Sequence, residues 1–419
     1  MITGLRLRSS TITNLPIDTL PRRHRPDYGL LILSAVLLAI GLVVIYAISP
    51  GLSITSNVSE NYYVNKQIIS IAIGIVAFII AANMPLSLWQ KLQKPLIVVA
   101  ALSALAVRLF GQEVNGAYRW IQIGGVSFQS AELIKIALLI WLAGFLADHI
   151  RNGTLKNSKT IVPILVAIFA VGIVVAGIQS DLGSTGVMIA MIVAMIFVAG
   201  IPLKKLVGIS VIIAIIATLA VSTTPYRRSR ILTFLHPTSN CQTTGYQACQ
   251  AIISVGSGGL IGLGLGRSIQ AYGYLPEPAN DSIFAIFGEK FGFIGSALLL
   301  VIFLALFWRL KNIIERAPTD FTRLIVVGVL AWLSVQSIIN VGAMIGLLPL
   351  KGITLPFVSY GGTSIVFVMA AIGLVFQISR YTSHVVPNNS EPVEGKRYES
   401  RSNGRRLRGP YNPSVSGRT

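Results

Sequence analysis

A carboxylate beside a long apolar run is costly and is usually present for function. Asp281 is the last acidic residue of the polar stretch 224–282, and an apolar run begins at Ile283. A carboxylate in this position can act as a general base toward a hydroxyl nucleophile, which typically accelerates a reaction by roughly 10²–10⁴-fold. Glu277, four residues earlier, is the second candidate. The plain alternative for Asp281 is an ordinary helix cap.

Other ionisable residues flank apolar runs and could bind an anion. Arg119 has a forked guanidinium suited to phosphate, although an interfacial anchor explains its neighbour Trp120 and part of Arg119. Glu132 and Lys135 are three residues apart at the start of a run, so they share a helix face. They predict either a local ion pair or a Lys135 that meets an anionic ligand. Asp181 predicts either a helix cap or a contact to a substrate or cation.

The stretch 224–282 contains two further candidate features. The glycine-rich run 256–266 precedes Arg267 and lacks the Lys-Ser/Thr ending of a nucleotide-binding loop. The run predicts either a flexible segment at the membrane edge or a loop whose backbone amides bind the pyrophosphate of a lipid. Cys241 and Cys249 are eight residues apart, and they predict either a disulfide or two free thiols. Lys351 lies in a separate polar segment later in the chain and is another candidate cation.

These residues lie between apolar segments that must position them. The chain of 419 residues is 53% hydrophobic and 12% charged, with a mean hydropathy of +0.72. A helix needs ~20 residues to cross ~30 Å of hydrocarbon, and the runs lack the alternation of a membrane barrel. We therefore predict an all-α polytopic membrane protein with about ten spans, at 28–49, 64–84, 95–110, 132–148, 161–178, 183–200, 206–222, 283–308, 324–346 and 363–380.

The distribution of Lys and Arg predicts the orientation. Most of the 34 basic residues fall in the head, the tail and alternate loops, which places both termini in the cytoplasm. The net charge of +19 is spread over these loops, where anionic lipid attracts it, so we expect membrane lipids and no nucleic acid as partners. We predict a flexible basic head (1–27), a membrane domain (28–380) with one large extracytoplasmic loop (224–282) before span eight, and a disordered basic tail (381–419).

Seven segments in this order resemble the SEDS family, the FtsW, RodA and SpoVE type proteins of bacterial cell-wall synthesis. They are GAYRW (116–120), FQSAELIK (128–135), QSDLG (179–183), GSGGLIGLGLG (256–266), LPEPANDSIFA (275–285), GEKFGFIG (288–295) and LPLKGITLPFVSYGG (348–362). The resemblance covers roughly 28–380. This chain departs from the family pattern by Ser130-Ala131 for Pro-Ser, by Lys290 for a second Glu, and by Lys351 for Thr.

The resemblance implies a ten-span fold and a peptidoglycan glycosyltransferase that polymerises lipid II outside the plasma membrane. It implies a class B penicillin-binding transpeptidase as partner, other divisome proteins around it, and Asp281 as the essential acid. It also marks Arg119, Glu132, Lys135 and Asp181 as outer polar positions. The long basic head and tail favour an FtsW-like role at the division septum. The alternatives are a RodA-like elongation polymerase, a lipid II flippase and a scaffold protein.

The expected chemistry is attack of a sugar hydroxyl on an anomeric carbon that carries a lipid pyrophosphate. Asp281 would deprotonate the acceptor 4-hydroxyl, and attack from the opposite face would invert the donor carbon. The leaving pyrophosphate needs positive charge, from Arg119, Lys135, Arg267, Lys351 or a divalent cation such as Mg²⁺ or Mn²⁺. The sequence does not decide whether a metal takes part.

Overall fold

The protein is a bundle of long helices with one small sheet. The computed structural model describes residues 25–114, 117–123, 126–155, 157–202, 241–243 and 245–381, with isolated positions 205, 207, 208, 211 and 234. A short π-helix, Gly172–Ile178, continues α6. The α-helices are α1 (Tyr28–Ser56), α2 (Tyr62–Asn83), α3 (Leu86–Lys91), α4 (Gln93–Phe110), α5 (Ser130–Arg151), α6 (Ser158–Val171), α7 (Leu182–Ala199), α8 (Tyr246–Ser257), α9 (Ile283–Arg316), α10 (Asp320–Met344) and α11 (Gly362–Ser379).

The predicted membrane spans are confirmed wherever the structure describes them. Nine helices of the described part of the chain are long and apolar enough to cross a bilayer, and they coincide with nine of the ten predicted runs. The remaining run, 206–222, lies outside the described residues except for positions 207, 208 and 211, as do most of the head and tail. The chain is therefore a multi-pass membrane protein of the all-α class.

The core of the bundle lies around α5, α7, α10 and α11. In the most apolar window of α11, 78% of the residues are buried, against 17% in α4, so α4 lies at the periphery. Small residues allow the central helices to approach closely. A Cβ atom at Gly328 of α10 would lie 2.2 Å from Leu139 of α5 and 2.9 Å from Met195 of α7.

Contacts between helix ends agree with the predicted alternation of the spans. At one end, the Asp27 amide donates to Ser379 Oγ (3.0 Å), and the Asp27 carboxylate lies 3.8 Å from Arg309. At the same end, Arg380 donates to the Ala82 carbonyl (3.2 Å). This end carries residues that were predicted to be cytoplasmic. Arg119, Asp181, Asp281 and Lys351 lie at the opposite end.

A three-stranded antiparallel sheet precedes α5, and the sequence analysis did not predict it. Its strands are β1 (Gln112–Val114), β2 (Ala117–Ile123) and β3 (Val126–Gln129), in the order β1-β2-β3. β2 and β3 pair Trp120 with Gln129 and Ile123 with Val126. The sheet brings Arg119, on β2, close to the start of α5.

Gly292 kinks α9 and gives the clearest stability prediction of the fold. Its φ is +66°, and a Cβ atom there would lie 2.3 Å from the Gly262 nitrogen and 2.6 Å from the Leu260 carbonyl oxygen. We expect Gly292→Ala to lower the free energy of unfolding by about 2 kcal/mol or more. The measurement is the thermal unfolding midpoint of the purified protein in detergent.

The matched control is Gly186→Ala in α7, where no atom lies within 4 Å of the added carbon. Alanine is a better helix former than glycine, so this control should not lower the midpoint. Equal midpoints for the two variants would contradict the packing described for Gly292.

Candidate active site

Asp281 lies in a turn that ends where α9 begins. The Ser359 hydroxyl donates to the Asn280 carbonyl (2.6 Å), and the Asn340 amide donates to the Asp281 carbonyl (2.7 Å). Asp281 is half-buried. Ser282 occupies the position that caps α9 and makes no side-chain capping bond. Asp281 therefore lies one residue before the position that caps α9.

The carboxylate of Asp281 meets two neighbouring segments. The amide of Gln247, in the first turn of α8, lies 3.4 Å from Asp281 Oδ2 and 3.3 Å from the Ser282 hydroxyl. A Cβ atom at Gly352 would lie 3.7 Å from the same Oδ2. Lys351 is adjacent to Gly352 and half-buried. Lys351 is thus a predicted cation that adjoins a residue beside the Asp281 carboxylate.

Two side chains of α10 hold the segment after Lys351. The Asn340 amide that binds Asp281 also donates to the Ile353 carbonyl (2.6 Å). One helical turn deeper, the Gln336 amide donates to the Thr354 carbonyl (2.9 Å). Because Asn340 reaches both segments, it fixes the Asp281 turn against the 351–354 backbone.

Glu132 and Lys135 form the predicted ion pair, in the interior of the bundle. The Lys135 ammonium lies 2.7 Å from the Glu132 carboxylate and donates to Gln336 Oε1 (3.1 Å). It also lies 4.9 Å from the Trp332 ring centroid. The Lys135 side chain is only 1% exposed, so it does not reach the exterior in this conformation. Its predicted contact with an anionic ligand stays a prediction.

Arg119 and Asp181 each bind backbone groups at or just before the start of α7. Arg119 donates to the carbonyls of Gln179 (3.1 Å) and Ser180 (2.7 Å). Asp181 caps α7, since it accepts from the Ser184 amide (2.9 Å) and hydroxyl (2.8 Å). The helix-cap interpretation of Asp181 is therefore confirmed. A role for either residue in binding substrate stays a prediction.

The start of α7 also packs against the segment that approaches Asp281. A Cβ atom at Gly183 would lie 2.4 Å from Ile353 Cγ1 and 2.9 Å from the Lys351 carbonyl oxygen. The start of α7, which Arg119 binds through the Gln179 and Ser180 carbonyls, therefore contacts the Lys351–Gly352 segment that lies beside Asp281. Four polar segments that are distant in sequence meet at one end of the bundle.

The glycine-rich run packs on α9 instead of presenting bare amides. The amides of Leu263 and Gly264 donate to the carbonyls of Glu289 (2.9 Å) and Lys290 (3.0 Å). A Cβ atom at Gly262 would lie 2.1 Å from the Lys290 carbonyl oxygen. These amides are therefore engaged within the protein. The interpretation of the run as a pyrophosphate cradle gains no support from this geometry.

Glu289 and Lys290 bind different parts of the loop that precedes the Asp281 turn. The Glu289 carboxylate accepts from the Ser268 hydroxyl (2.6 Å) and the Ile269 amide (2.7 Å), and Lys290 donates to the Leu265 carbonyl (2.6 Å). Both side chains thus hold the loop around Arg267. Arg267 and Glu277 are themselves exposed.

Cys241 and Cys249 form a disulfide, with a Cα–Cα distance of 5.6 Å. Cys249 belongs to the first turn of α8, two residues after Gln247. The disulfide therefore attaches the chain before α8 to the turn that carries Gln247.

Tyr360 packs against the segment that leads to Asp281. Its amide donates to the Ala279 carbonyl (2.8 Å). Burial, with the neighbouring Tyr62 and Tyr63, raises the pKa of Tyr360 to about 12, so its phenol stays neutral at physiological pH.

This end of the bundle can supply a base and an anion site. Asp281 is a half-buried carboxylate with Lys351 next to its neighbour Gly352. Among the described residues, no three His, Cys, Asp or Glu side chains come together to hold a metal ion. The described residues at this end therefore do not by themselves build a protein-only metal centre. A cation that arrives with a diphosphate would need only one or two carboxylates from the protein.

The sequence analysis missed the neutral side chains that organise the site. Gln247, Gln336 and Asn340 connect the charged residues to one another or to the backbone. An Asn or Gln side chain within an apolar run was the only available indication, because a buried side-chain amide needs hydrogen-bond partners. Gln336 and Asn340 give that indication, whereas Gln247 lies in a polar loop region and gives none.

Comparison with known proteins places the whole membrane domain in one group. A family model described as cell cycle protein, covering FtsW, RodA and SpoVE, matches residues 28–384. Stage V sporulation protein E of Bacillus subtilis (strain 168) is 35% identical over 87% of this chain and 99% of its own length. A probable peptidoglycan glycosyltransferase FtsW of Thioalkalivibrio sp. (strain K90mix) is 36% identical over 90% of this chain and 94% of its own.

Two solved structures have similar folds. One belongs to a study of how a peptidoglycan synthase complex coordinates polymerization and crosslinking, with a TM-score of 0.70 and 25% identity over 85% of this chain and 98% of that one. The other is the rod shape determining protein RodA of Thermus thermophilus, with a TM-score of 0.62 and 25% identity over 86% and 98%.

The buried ion pair leads to a prediction about stability. Lys135→Met would leave the Glu132 carboxylate buried without its counter-ion, and breaking such a pair typically costs about 3–5 kcal/mol. The double variant Glu132→Gln/Lys135→Met removes both charges and should recover much of this loss. The thermal unfolding midpoints of both variants measure the difference. A double variant that is no more stable than Lys135→Met would show that the charge left behind is not the cause.

Proposed function

This chain belongs to the FtsW, RodA and SpoVE family of cell cycle proteins, and we propose that it is a peptidoglycan glycosyltransferase. Its substrate is lipid II, which it polymerises into glycan strands at the outer face of the plasma membrane. The observation that carries this proposal is the half-buried Asp281 carboxylate, held beside the Lys351–Gly352 backbone at one end of the bundle. Several relatives are named probable peptidoglycan glycosyltransferase FtsW, which supports the same activity.

Asp281 is the general base of the proposed reaction. It removes the proton from the 4-hydroxyl of the acceptor sugar as that oxygen attacks the anomeric carbon of the donor. The bond from that carbon to the lipid pyrophosphate breaks, and the pyrophosphate leaves with the bonding electron pair. Attack from the face opposite the leaving group converts an α-linked donor into a β-linked chain. Pyrophosphate is a good leaving group, so one carboxylate suffices.

Lys351 is our first candidate for the cation that stabilises the departing diphosphate. It directly precedes Gly352, where an added Cβ atom would lie 3.7 Å from Asp281 Oδ2. Arg119 already donates to two carbonyls, and Lys135 is enclosed with Glu132. We therefore assign these two residues to positioning in this conformation. Arg267 lies on a neighbouring exposed loop and is the second candidate for contact with phosphate.

We further propose that the protein acts at the division septum. Several curated relatives that match over most of the chain carry FtsW or SpoVE names, and this favours a division-type enzyme over an elongation-type one. Its proposed partner is a class B penicillin-binding transpeptidase. The similar chain of a peptidoglycan synthase complex supports a partner of that kind, since polymerization and crosslinking are coordinated there.

A lipid II flippase is not favoured by the position of the buried charges. A flippase requires a polar path that opens to both leaflets in turn. Among the described residues, the buried charged side chains all lie toward the end of the bundle that holds Asp281. They are Glu132, Lys135, Asp181, Glu289 and Lys290. We therefore propose no transport activity.

The proposal for Asp281 is tested with purified protein and lipid II. Asp281→Asn removes the base but keeps the shape of the side chain, so we expect glycan polymer to fall by at least about 10²-fold while lipid II binding and the unfolding midpoint persist. Polymer length and amount on gels are the measurement. Near-normal polymer from Asp281→Asn would reject the assignment.

Two control variants make this test specific. Asp148→Asn makes the same chemical change at an exposed residue at the far end of α5 and should leave polymerisation unchanged. Glu277→Gln tests the second candidate for the base. Loss of polymer in Glu277→Gln with retention in Asp281→Asn would transfer the catalytic role to Glu277.

We also propose that polymerisation uses a divalent cation that arrives with the pyrophosphate and not in a preformed protein site. Mg²⁺ is usually bound through one or two carboxylates together with substrate phosphates. The expected result is that polymerisation responds to titrated Mg²⁺ or Mn²⁺, whereas the purified protein without lipid II binds neither ion by calorimetry. Tight binding of either ion to the protein alone would contradict this proposal.

A further inference from the structure

The loop after α8 exposes large apolar side chains although it is not helical. Leu260 is 70% exposed, Ile261 80% and Leu265 45%. Burying a Leu or Ile side chain is typically worth about 1.5–3 kcal/mol, so exposing several to water in a short loop is unfavourable. Something apolar is therefore expected to cover them.

Backbone hydrogen bonds fix the position of this loop along α9. The Phe293 amide donates to the Gly259 carbonyl (2.9 Å), and the Ile294 amide donates to the Leu260 carbonyl (3.0 Å). Phe293 and Ile294 are themselves 68% and 60% exposed. The loop and this part of α9 therefore lie at the same depth along the bundle.

The length of α9 places that depth inside the hydrocarbon. Trp308 is exposed and adjoins Arg309, as expected at the opposite membrane interface. From Phe293 to Trp308 a helix rises about 22 Å at ~1.5 Å per residue. The hydrocarbon core is ~30 Å thick, so Phe293 lies below the outer boundary. Tilting of α9 would place it deeper still.

The backbone of the loop meets the requirement for a chain inside lipid. Non-helical backbone at membrane depth is tolerated only where its polar groups are satisfied by the protein. The kinked part of α9 and the loop itself satisfy several of these groups. The bonds run from the amides of Gly262, Leu263 and Gly264 to the carbonyls of Gly258, Glu289 and Lys290, and from the Lys290 ammonium to the Leu265 carbonyl.

We propose that residues 258–266 form a re-entrant loop whose Leu260 and Ile261 side chains are immersed in the acyl chains of the outer leaflet. The occupant of this surface is lipid hydrocarbon, because the surface continues the exposed face of α9, which spans the membrane. The exposed Arg267 follows at the level of the headgroups. The loop anchors the 267–281 segment, and with it the Asp281 turn, to the membrane surface.

The experiment uses the full-length protein, purified and reconstituted alone into phosphatidylcholine vesicles. Ile261→Cys and, separately, Leu260→Cys are labelled with a small fluorophore without reductant, so that Cys241 and Cys249 stay paired. Each label is then quenched by lipids brominated on their acyl chains and by aqueous iodide. Both positions are exposed, so the substitutions should not disturb folding.

Two further positions calibrate the measurement. Val301→Cys lies on the exposed face of α9 nearer the middle of the bilayer, and Ser59→Cys lies in the exposed loop between α1 and α2 at the Asp281 end. We expect labels at 260 and 261 to be quenched by brominated lipid severalfold more than a label at 59, and by iodide severalfold less. Their behaviour should approach that of the label at 301.

Two outcomes would overturn the proposal. Labels at 260 and 261 that respond like the label at 59 would place the loop in water. Labels shielded from both quenchers would show that protein, such as a second copy of the chain, covers the surface. Neither outcome bears on whether Asp281 is the base, because the experiment measures no polymerisation.

Discussion

The candidate site depends on the hydrogen bonds of one buried amide. Asn340 donates to the carbonyls of Asp281 (2.7 Å) and Ile353 (2.6 Å), which belong to segments far apart in the sequence. Asn340 is only 2% exposed, so these bonds are not exchanged for water. A turn that carries a carboxylate and a segment that carries Lys351 are thereby fixed against the same helix. The backbone on which the candidate base stands is thus fixed relative to the backbone beside Lys351.

The same rule of local satisfaction governs the other motifs. Arg119 binds two carbonyls at the end of the π-helix, Asp181 caps α7, and Glu289 binds a hydroxyl and an amide of the neighbouring loop. Near hydrocarbon, a backbone polar group without a hydrogen-bond partner is costly. These charged side chains bind such groups where the backbone is not helical, and they thereby stabilise it. Most charged motif residues therefore build the frame of the site, and Asp281 and Lys351 are the best placed for chemistry.

The sequence predicted the spans well, since length and hydropathy alone decide whether a helix can cross a bilayer. It predicted which segments gather at one end, because alternating spans dictate that. It did not predict the sheet before α5, although Gly124-Gly125 between two β-prone stretches is a hairpin signal. It also could not choose between a disulfide and two free thiols. The spacing of the two cysteines shows that a bridge could close, but not whether the thiols are oxidised. Gln247 was missed because its importance depends entirely on contacts made across the fold.

The glycine-rich run shows why composition alone could not decide its role. Glycines allow close approach of any backbone, whether to a phosphate or to another chain. Here the partner is α9, because Gly292 has a φ of +66° that opens the helix, and Gly262 leaves no room for a side chain beside the Lys290 carbonyl. Gly262 of the loop and Gly292 of α9 together therefore allow the two backbones to pack closely. This packing allows apolar loop residues to face outward while their backbone stays satisfied, which a loop of larger residues could not achieve.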